Sequence, residues 1–129
     1  MIDPISDLLN RIRNGQAVLK DTVRFPFSEM KHDILKIIEK EGYIKELEVK
    51  GRIPKKTIEA KLIYKDKIPA VSGLKRISKP GKRIYATVSE MKRMRRGFKT
   101  IIVSTPKGLK TGKEAIKQNL GGEILLEIW

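Results

Sequence analysis

The sequence predicts an α+β protein in two parts: an N-terminal α-β-α-β-β module, then a β-rich C-terminal module with one short helix. Three observations carry this. In the first half, apolar residues recur at helical spacing in two stretches and alternate at strand spacing in two others. The second half is made of short apolar and β-branched runs punctuated by Gly and Pro. The chain has 129 residues, 40% of them apolar, which suits one compact domain or two small ones, each with a core.

Asp3-Pro4 opens the first helix, since Asp is a good N-cap and the first helical position tolerates Pro. Ile5, Leu8, Leu9 and Ile12 form its apolar stripe, and Gly15 lies near its end. A strand over 22–25 is broken by Pro26. Ser28 caps a second helix with Met30, Ile34, Ile37 and Ile38 as its stripe, and Gly42 stops it. Residues 43–49 and 57–64 alternate and read as a hairpin around a polar turn at 51–56. The first domain is thus expected at 1–65, a linker at 66–71 and the second domain at 72–129. Within the latter, short strands near 74–78 and 83–87 flank a turn at Pro80-Gly81. A basic stretch, Lys92 to Arg96, precedes a buried strand at 98–104, then a loop at Thr105 to Gly108. Thr111 and Glu114 have capping-box spacing before a helix that runs to Leu120. Gly121-Gly122 ends it, and 123–129 form the last strand.

Charge is the strongest compositional signal. Lys and Arg number 29 against 15 Asp and Glu, a formal +14. The surplus is uneven: residues 1–64 carry 13 basic and 10 acidic side chains, residues 65–129 carry 16 and 5. Polyanions are the usual partner of such a surface, and the second half is the expected docking face. Between 75 and 99 ten cations face a single acid, Glu90. Other classes fare poorly. The chain has no cysteine, which removes disulfide scaffolds and Cys-built zinc sites and fits a cytoplasmic location. The longest apolar runs are a few residues, far short of the roughly 20 that span a membrane. No secretory signal is expected from the Met1-Ile2-Asp3-Pro4 start.

Catalytic readings are weak. His32 is the only histidine and is expected on the solvated face of its helix, without a metal-sharing partner. Gly108 to Lys113 has one residue too few for a phosphate-binding P-loop, and Glu114 stands where a magnesium-binding Ser or Thr belongs. Glu59-Ala60-Lys61 lacks the further carboxylates a nuclease metal needs, and Ser104 lacks a His base. No catalytic residue, metal or cofactor is therefore expected. The rivals are an RNA-processing enzyme and a general basic nucleic-acid binder. Ser104-Thr105-Pro106-Lys107-Gly108 offers hydroxyls, a cation and a Gly in one loop, suited to phosphates, base edges and 2′-hydroxyls. Tyr85 either stacks on a base or faces the core.

Gly73 to Tyr85, reading GLKRISKPGKRIY, resembles the signature segment of the small-subunit ribosomal protein S-eight family. Ser104 to Gly108 resembles that family's Ser-Thr-Ser-Lys-Gly loop, and Gly121-Gly122-Glu123 with terminal Trp129 resembles its C-terminus. Asp3-Pro4-Ile5, Asp7, Arg11 to Asn14 and Glu41 to Ile44 also match, so the resemblance spans the chain in order. It implies a noncatalytic two-domain protein that binds the central domain of small-subunit rRNA early in assembly. It further implies neighbouring ribosomal proteins as partners, a monomer off the ribosome and, in bacterial members, repression of their own operon through an mRNA mimic of the rRNA site. By the same resemblance Ser104 to Gly108 and Gly121, Gly122 and Glu123 line the main RNA site near Tyr85. From their charge Lys75, Arg76, Lys79 and Arg83 are expected to contact phosphates, and the resemblance implies that Lys31, Lys55 and Lys56 touch a second RNA segment. This chain departs from the family pattern at Pro106, where Ser is usual, at Gly97 to Thr100, and in its more basic 92–96 cluster.

Overall fold

A computed structural model describes residues 3–94 and 99–129, in two units, Met1–Val71 and Ser72–Trp129. Arg95 and Arg96 of the expected basic cluster, and Phe98 at the start of the expected strand, lie outside the described residues.

In the first unit, α1 (Pro4–Ala17) starts where Asp3 accepts the Ile5 N–H at 3.1 Å. Its stripe of Ile5, Leu8, Leu9 and Ile12 is buried. β1 (Thr22–Pro26) leads to α2 (Glu29–Lys40), where the Ser28 hydroxyl accepts the Lys31 N–H at 3.1 Å. The buried stripe of α2 is Ile34, Leu35 and Ile38. Met30, expected in that stripe, sits in the first turn and is 41% exposed, and Ile37 is half-buried. His32 is half-buried too, with its ring 5.9 Å from that of Phe27, so it is less solvated than expected. β2 (Ile44–Lys50) and β3 (Thr57–Leu62) form the expected hairpin, and β1 pairs with the other edge of β3. The central strand accordingly buries Ile58, Ala60 and Leu62.

The 66–71 stretch, expected as a linker, is folded. β4 (Tyr64–Lys65) and β5 (Ile68–Pro69) make a small hairpin whose turn residues Asp66 and Lys67 both have positive φ. Ala70 N–H donates to the Ile63 carbonyl at 2.8 Å, and Val71 is buried.

The second unit is a sheet ordered β6-β10-β8-β9, with β7 also beside β10. Its strands are β6 (Leu74–Arg76), β7 (Tyr85–Ala86), β8 (Thr100–Thr105), β9 (Gly108–Thr111) and β10 (Gly122–Ile128). Among the described residues two helices accompany it, not the one expected: α3 (Val88–Met94) and α4 (Gly112–Lys117). α3 is held by a capping box that the basic run obscured. Glu90 N–H donates to the Thr87 hydroxyl, and Thr87 N–H donates to the Glu90 carboxylate. That backbone hydrogen bond lowers the Glu90 pKa. Met91 of α3 packs into the core with Ala86, Ile101, Val103, Ala115 and Ile124. Thr111 caps α4 as expected, but its hydroxyl donates to the Glu114 side chain while accepting the Glu114 N–H.

One polar contact ties the first unit together. Lys31, expected at an RNA contact, is only 5% exposed and its ammonium lies 2.5 Å from the Asp7 carboxylate. Arg11 donates to both oxygens of that carboxylate and to the Arg24 carbonyl, so α1, α2 and β1 are joined. Burial pushes the Asp7 pKa up, but hydrogen bonds and charge from Lys31 and Arg11 outweigh it and hold the pKa below its ordinary 3.8. A depressed carboxylate contributes stability above its unfolded pKa and loses it as pH falls through the folded value. Asp7→Asn leaves a buried cation without its counterion and should cost about 2–3 kcal/mol at neutral pH in urea unfolding. The gap to wild type should shrink as pH drops below the ordinary Asp range. A constant gap down to pH 2 would contradict this account.

Candidate nucleic-acid interface

The second unit builds its polar site around an interruption in one strand. β6 and β7 do not pair with each other as the two expected strands around Pro80-Gly81 would. Both lie antiparallel to β10, with Arg76 opposite Leu126 and Tyr85 opposite Glu123. Ile77 N–H donates to Leu125 O and Ile124 N–H donates to Ile84 O, so Ile77 and Ile84 continue one ladder. Residues 78–83 are looped out of it.

Ser78 closes the base of that loop. It is 1% exposed. Its hydroxyl accepts the Ile84 N–H at 3.0 Å and donates to the Glu123 carboxylate at 2.6 Å. Arg83 donates to the same carboxylate oxygen at 3.1 Å. Arg76 donates to the Ser78 carbonyl at 2.7 Å. At the tip, Lys79 and Lys82 exchange backbone hydrogen bonds of 3.0 and 2.9 Å across Pro80-Gly81. Lys75, Lys79, Lys82 and Arg83 are exposed and Arg76 is half-buried. Burial and then the nearby Arg83 charge push the Arg76 pKa down, against Glu123. These charges share one neighbourhood.

Register places three side chains in a row. Glu123 of β10 is opposite Tyr85 of β7 on one side and Ser104 of β8 on the other. Directly opposed residues project to the same face of a sheet and their neighbours to the other. Val103 and Ile124, next in sequence, lie in the core with α3 and α4, so the Tyr85–Glu123–Ser104 row is on the face away from those helices. Tyr85 is 69% exposed, which settles its orientation against the core. Gly122 comes so close to β8 that an added Cβ would lie 2.1 Å from the Ser104 carbonyl oxygen.

The expected loop at 104–108 is a tight hairpin turn. Thr105 closes β8, Gly108 opens β9 with φ +100°, and only Pro106 and Lys107 lie between them. The Thr105 hydroxyl accepts the Lys107 N–H at 3.2 Å and donates to the Gly108 carbonyl at 2.7 Å, and the residue is 8% exposed. It shapes the turn and is not an open donor. Pro106, Lys107 and Gly108 are exposed and Ser104 is half-buried. Gly108 to Thr111, the start of the P-loop-like stretch, is extended strand. Among the described residues no group of three His, Asp or Glu converges on a metal position, and no helix is long and apolar enough to cross a membrane.

The sequence model of the family described as Ribosomal protein S8 matches residues 3–129. The chain belongs to that ribosomal protein S8 family. It is 46% identical over 129 residues to the small ribosomal subunit protein uS8 of Ruthia magnifica, covering all of this chain and 98% of the relative. It is 46% identical to that of Spiroplasma kunkelii, over all of this chain and 99% of the relative. With the Dictyoglomus thermophilum protein it shares 45% over 127 residues, covering 98% and 97%. As a member of the S8 family it is a structural constituent of the small ribosomal subunit in the cytoplasm, and not an enzyme.

In this S8 member the structure gathers Tyr85, Arg83, Arg76, Gly121, Gly122, Glu123 and Ser104 around one stretch of sheet. Lys55 and Lys56 are on the β2–β3 turn, where Lys56 lies 3.9 Å from the Phe27 ring centroid. Lys31 is enclosed by its ion pair. Sequence reasoning missed Ser78. Its only local signal was a lone hydroxyl inside a run of cations before Pro-Gly.

Gly122→Ala should destabilise the protein by about 2–3 kcal/mol, since a Cβ there must push β8 away. Gly81→Ala, where an added Cβ meets nothing within 4 Å, should change stability by less than about 0.5 kcal/mol. Equal effects in urea unfolding would show that close approach at Gly122 is not what matters.

Proposed function

We propose that the protein binds the central domain of small-subunit rRNA through its second unit, recognises an irregular helix, and does so early in subunit assembly. One observation carries the reading. Tyr85, Glu123 and Ser104 share a row on the sheet face away from the helices, beside a loop carrying Lys79, Lys82 and Arg83. Cations give phosphate affinity without sequence preference. An exposed Tyr ring offers a stacking surface, and the Ser104 hydroxyl both donates and accepts in a shallow minor groove. Glu123 keeps one carboxylate oxygen on Ser78 and Arg83, leaving the other to accept from a base amino group or a 2′-hydroxyl. Neighbouring small-subunit proteins are further partners. A bacterial operon mRNA that folds like the rRNA site would be bound by the same surface, so the protein represses its own translation in that setting.

The test is titration with a central-domain rRNA helix at several salt concentrations, with unrelated structured RNA as competitor. Preference for the rRNA helix should persist at physiological salt. Tyr85→Ala should weaken that preference by about 1–3 kcal/mol, and Ser104→Ala by about 0.5–1.5 kcal/mol. Lys79→Ala should weaken binding to every RNA alike and reduce the salt slope by about 0.7–0.9. Equal affinity for both RNAs, collapsing together as salt rises, would leave only a basic adhesive surface. Magnesium-dependent RNA cleavage would point to an enzyme instead.

A further inference from the structure

Arg76 stands apart from the other cations around the 78–83 loop. Lys75, Lys79, Lys82 and Arg83 are exposed, whereas Arg76 is half-buried. It closes β6 opposite Leu126, which is fully buried, so its side chain leaves the sheet beside apolar ground. Its Nε donates to the Ser78 carbonyl at 2.7 Å, two residues along the chain. That is short for an N–H to oxygen bond, as a charged donor makes it.

The carbonyl it holds is the group that the loop's other bonds pass over. The Ser78 hydroxyl is committed to the Ile84 N–H and the Glu123 carboxylate. Main-chain bonds at the tip run between Lys79 and Lys82, and among the described residues no main-chain N–H reaches the Ser78 carbonyl. Ser78 is thus gripped at both ends, its side chain by Glu123 and its carbonyl by Arg76. One rigid peptide plane contains that carbonyl and the Lys79 N–H. The same N–H starts the tip by donating to the Lys82 carbonyl at 3.0 Å. Fixing the carbonyl therefore fixes the direction in which the tip carries Lys79 and Lys82.

A phosphate contact would call for a different placement. Burial and the neighbouring Arg83 charge both push the Arg76 pKa down, so this is a costly position for a cation offered to solvent. The residue type is also specific. Arg carries Nε inside a rigid planar group, and a Lys ammonium on its flexible stem does not reproduce that geometry.

We infer that Arg76 is a positioning residue, which sets the 78–83 loop for RNA recognition through the Ser78 carbonyl and does not itself hold a phosphate. This rests on the reading of the second unit as an rRNA site. The test compares Arg76→Lys and Arg76→Ala with wild type in the whole protein. Amide exchange is read at Lys79 and Lys82, and affinity for a central-domain rRNA helix is read against unrelated structured RNA at several salt concentrations. Both variants should exchange faster at those amides and lose about tenfold in preference, the ratio for one charge-assisted hydrogen bond. Both should keep the wild-type salt slope. Arg76→Lys retains the charge, yet it should resemble Arg76→Ala. Asp7→Asn, which loses stability in the first unit, should keep its preference and so separates positioning from general destabilisation. Near-wild-type binding by Arg76→Lys, with a salt slope smaller by about 0.7–0.9 for Arg76→Ala, is the signature of a phosphate contact and overturns the inference. Faster exchange with undiminished preference overturns it too, as does lower preference with wild-type exchange. Each of these results leaves the rRNA reading standing, whereas wild-type protein with no preference for the helix overturns both.

Discussion

The hydrogen bond from Ser78 to Glu123 spans 45 positions in sequence and joins the looped-out segment to the central strand of the second unit. Its 2.6 Å length fits a hydroxyl bound to a carboxylate, and such charge-assisted bonds contribute about 1.5–3 kcal/mol. Ser78 also receives the Ile84 N–H, so the same oxygen closes the loop on itself. Without that closure the residues between Ile77 and Ile84 would be held only by the Lys79–Lys82 turn, the Arg76 bond to the Ser78 carbonyl and the Arg83–Glu123 pair among the contacts described. Tyr85 follows Ile84, whose N–H that hydroxyl receives, so the β7–β10 ladder that sets Tyr85 opposite Glu123 would lose its support on the loop side.

The same contact explains an acid in the middle of a basic surface. Arg76 and Arg83 are close enough for one to lower the pKa of the other. Like charges at that range repel, more strongly where water is partly excluded. Glu123 takes Arg83 directly and lowers the cost of keeping both cations beside the loop. The acid is thus a device for concentrating positive charge in a fixed place. A polyanion arriving there meets cations already arranged, not flexible side chains that must be ordered.

Much of this architecture was legible in the sequence because it is local. Asp3, Ser28 and Thr111 announced three helix starts, each with its bond one turn away, and 43–49 with 57–64 announced a hairpin with short closure. What was not legible depends on distant partners. Nothing near Lys31 reveals that Asp7 lies against it. The pairing of β6 and β7 with β10, not with each other, is set by residues 36 to 54 positions later. The missed helix α3 is a different case. Thr87 and Glu90 carried a capping box, but the cations after Met91 resembled a solvated surface run. At Thr105 the residue was found and its role was not: the hydroxyl that looked available to RNA completes a turn. Motif and charge singled out these residues one by one, while the row that Tyr85, Glu123 and Ser104 form emerged only from the strand register.

The most direct test of the central claim is Ser78→Ala, followed by amide hydrogen exchange at Ile84 and by affinity for the central-domain rRNA helix in the same preparation. Ser78 is buried and is not itself a contact in this account. The account predicts faster exchange at Ile84, a global melting temperature lower by several degrees, and rRNA affinity lower by about tenfold, the equivalent of one hydrogen bond's organising effect. Fast exchange with undiminished affinity would contradict it, because the loop's fixed shape would then be irrelevant to recognition.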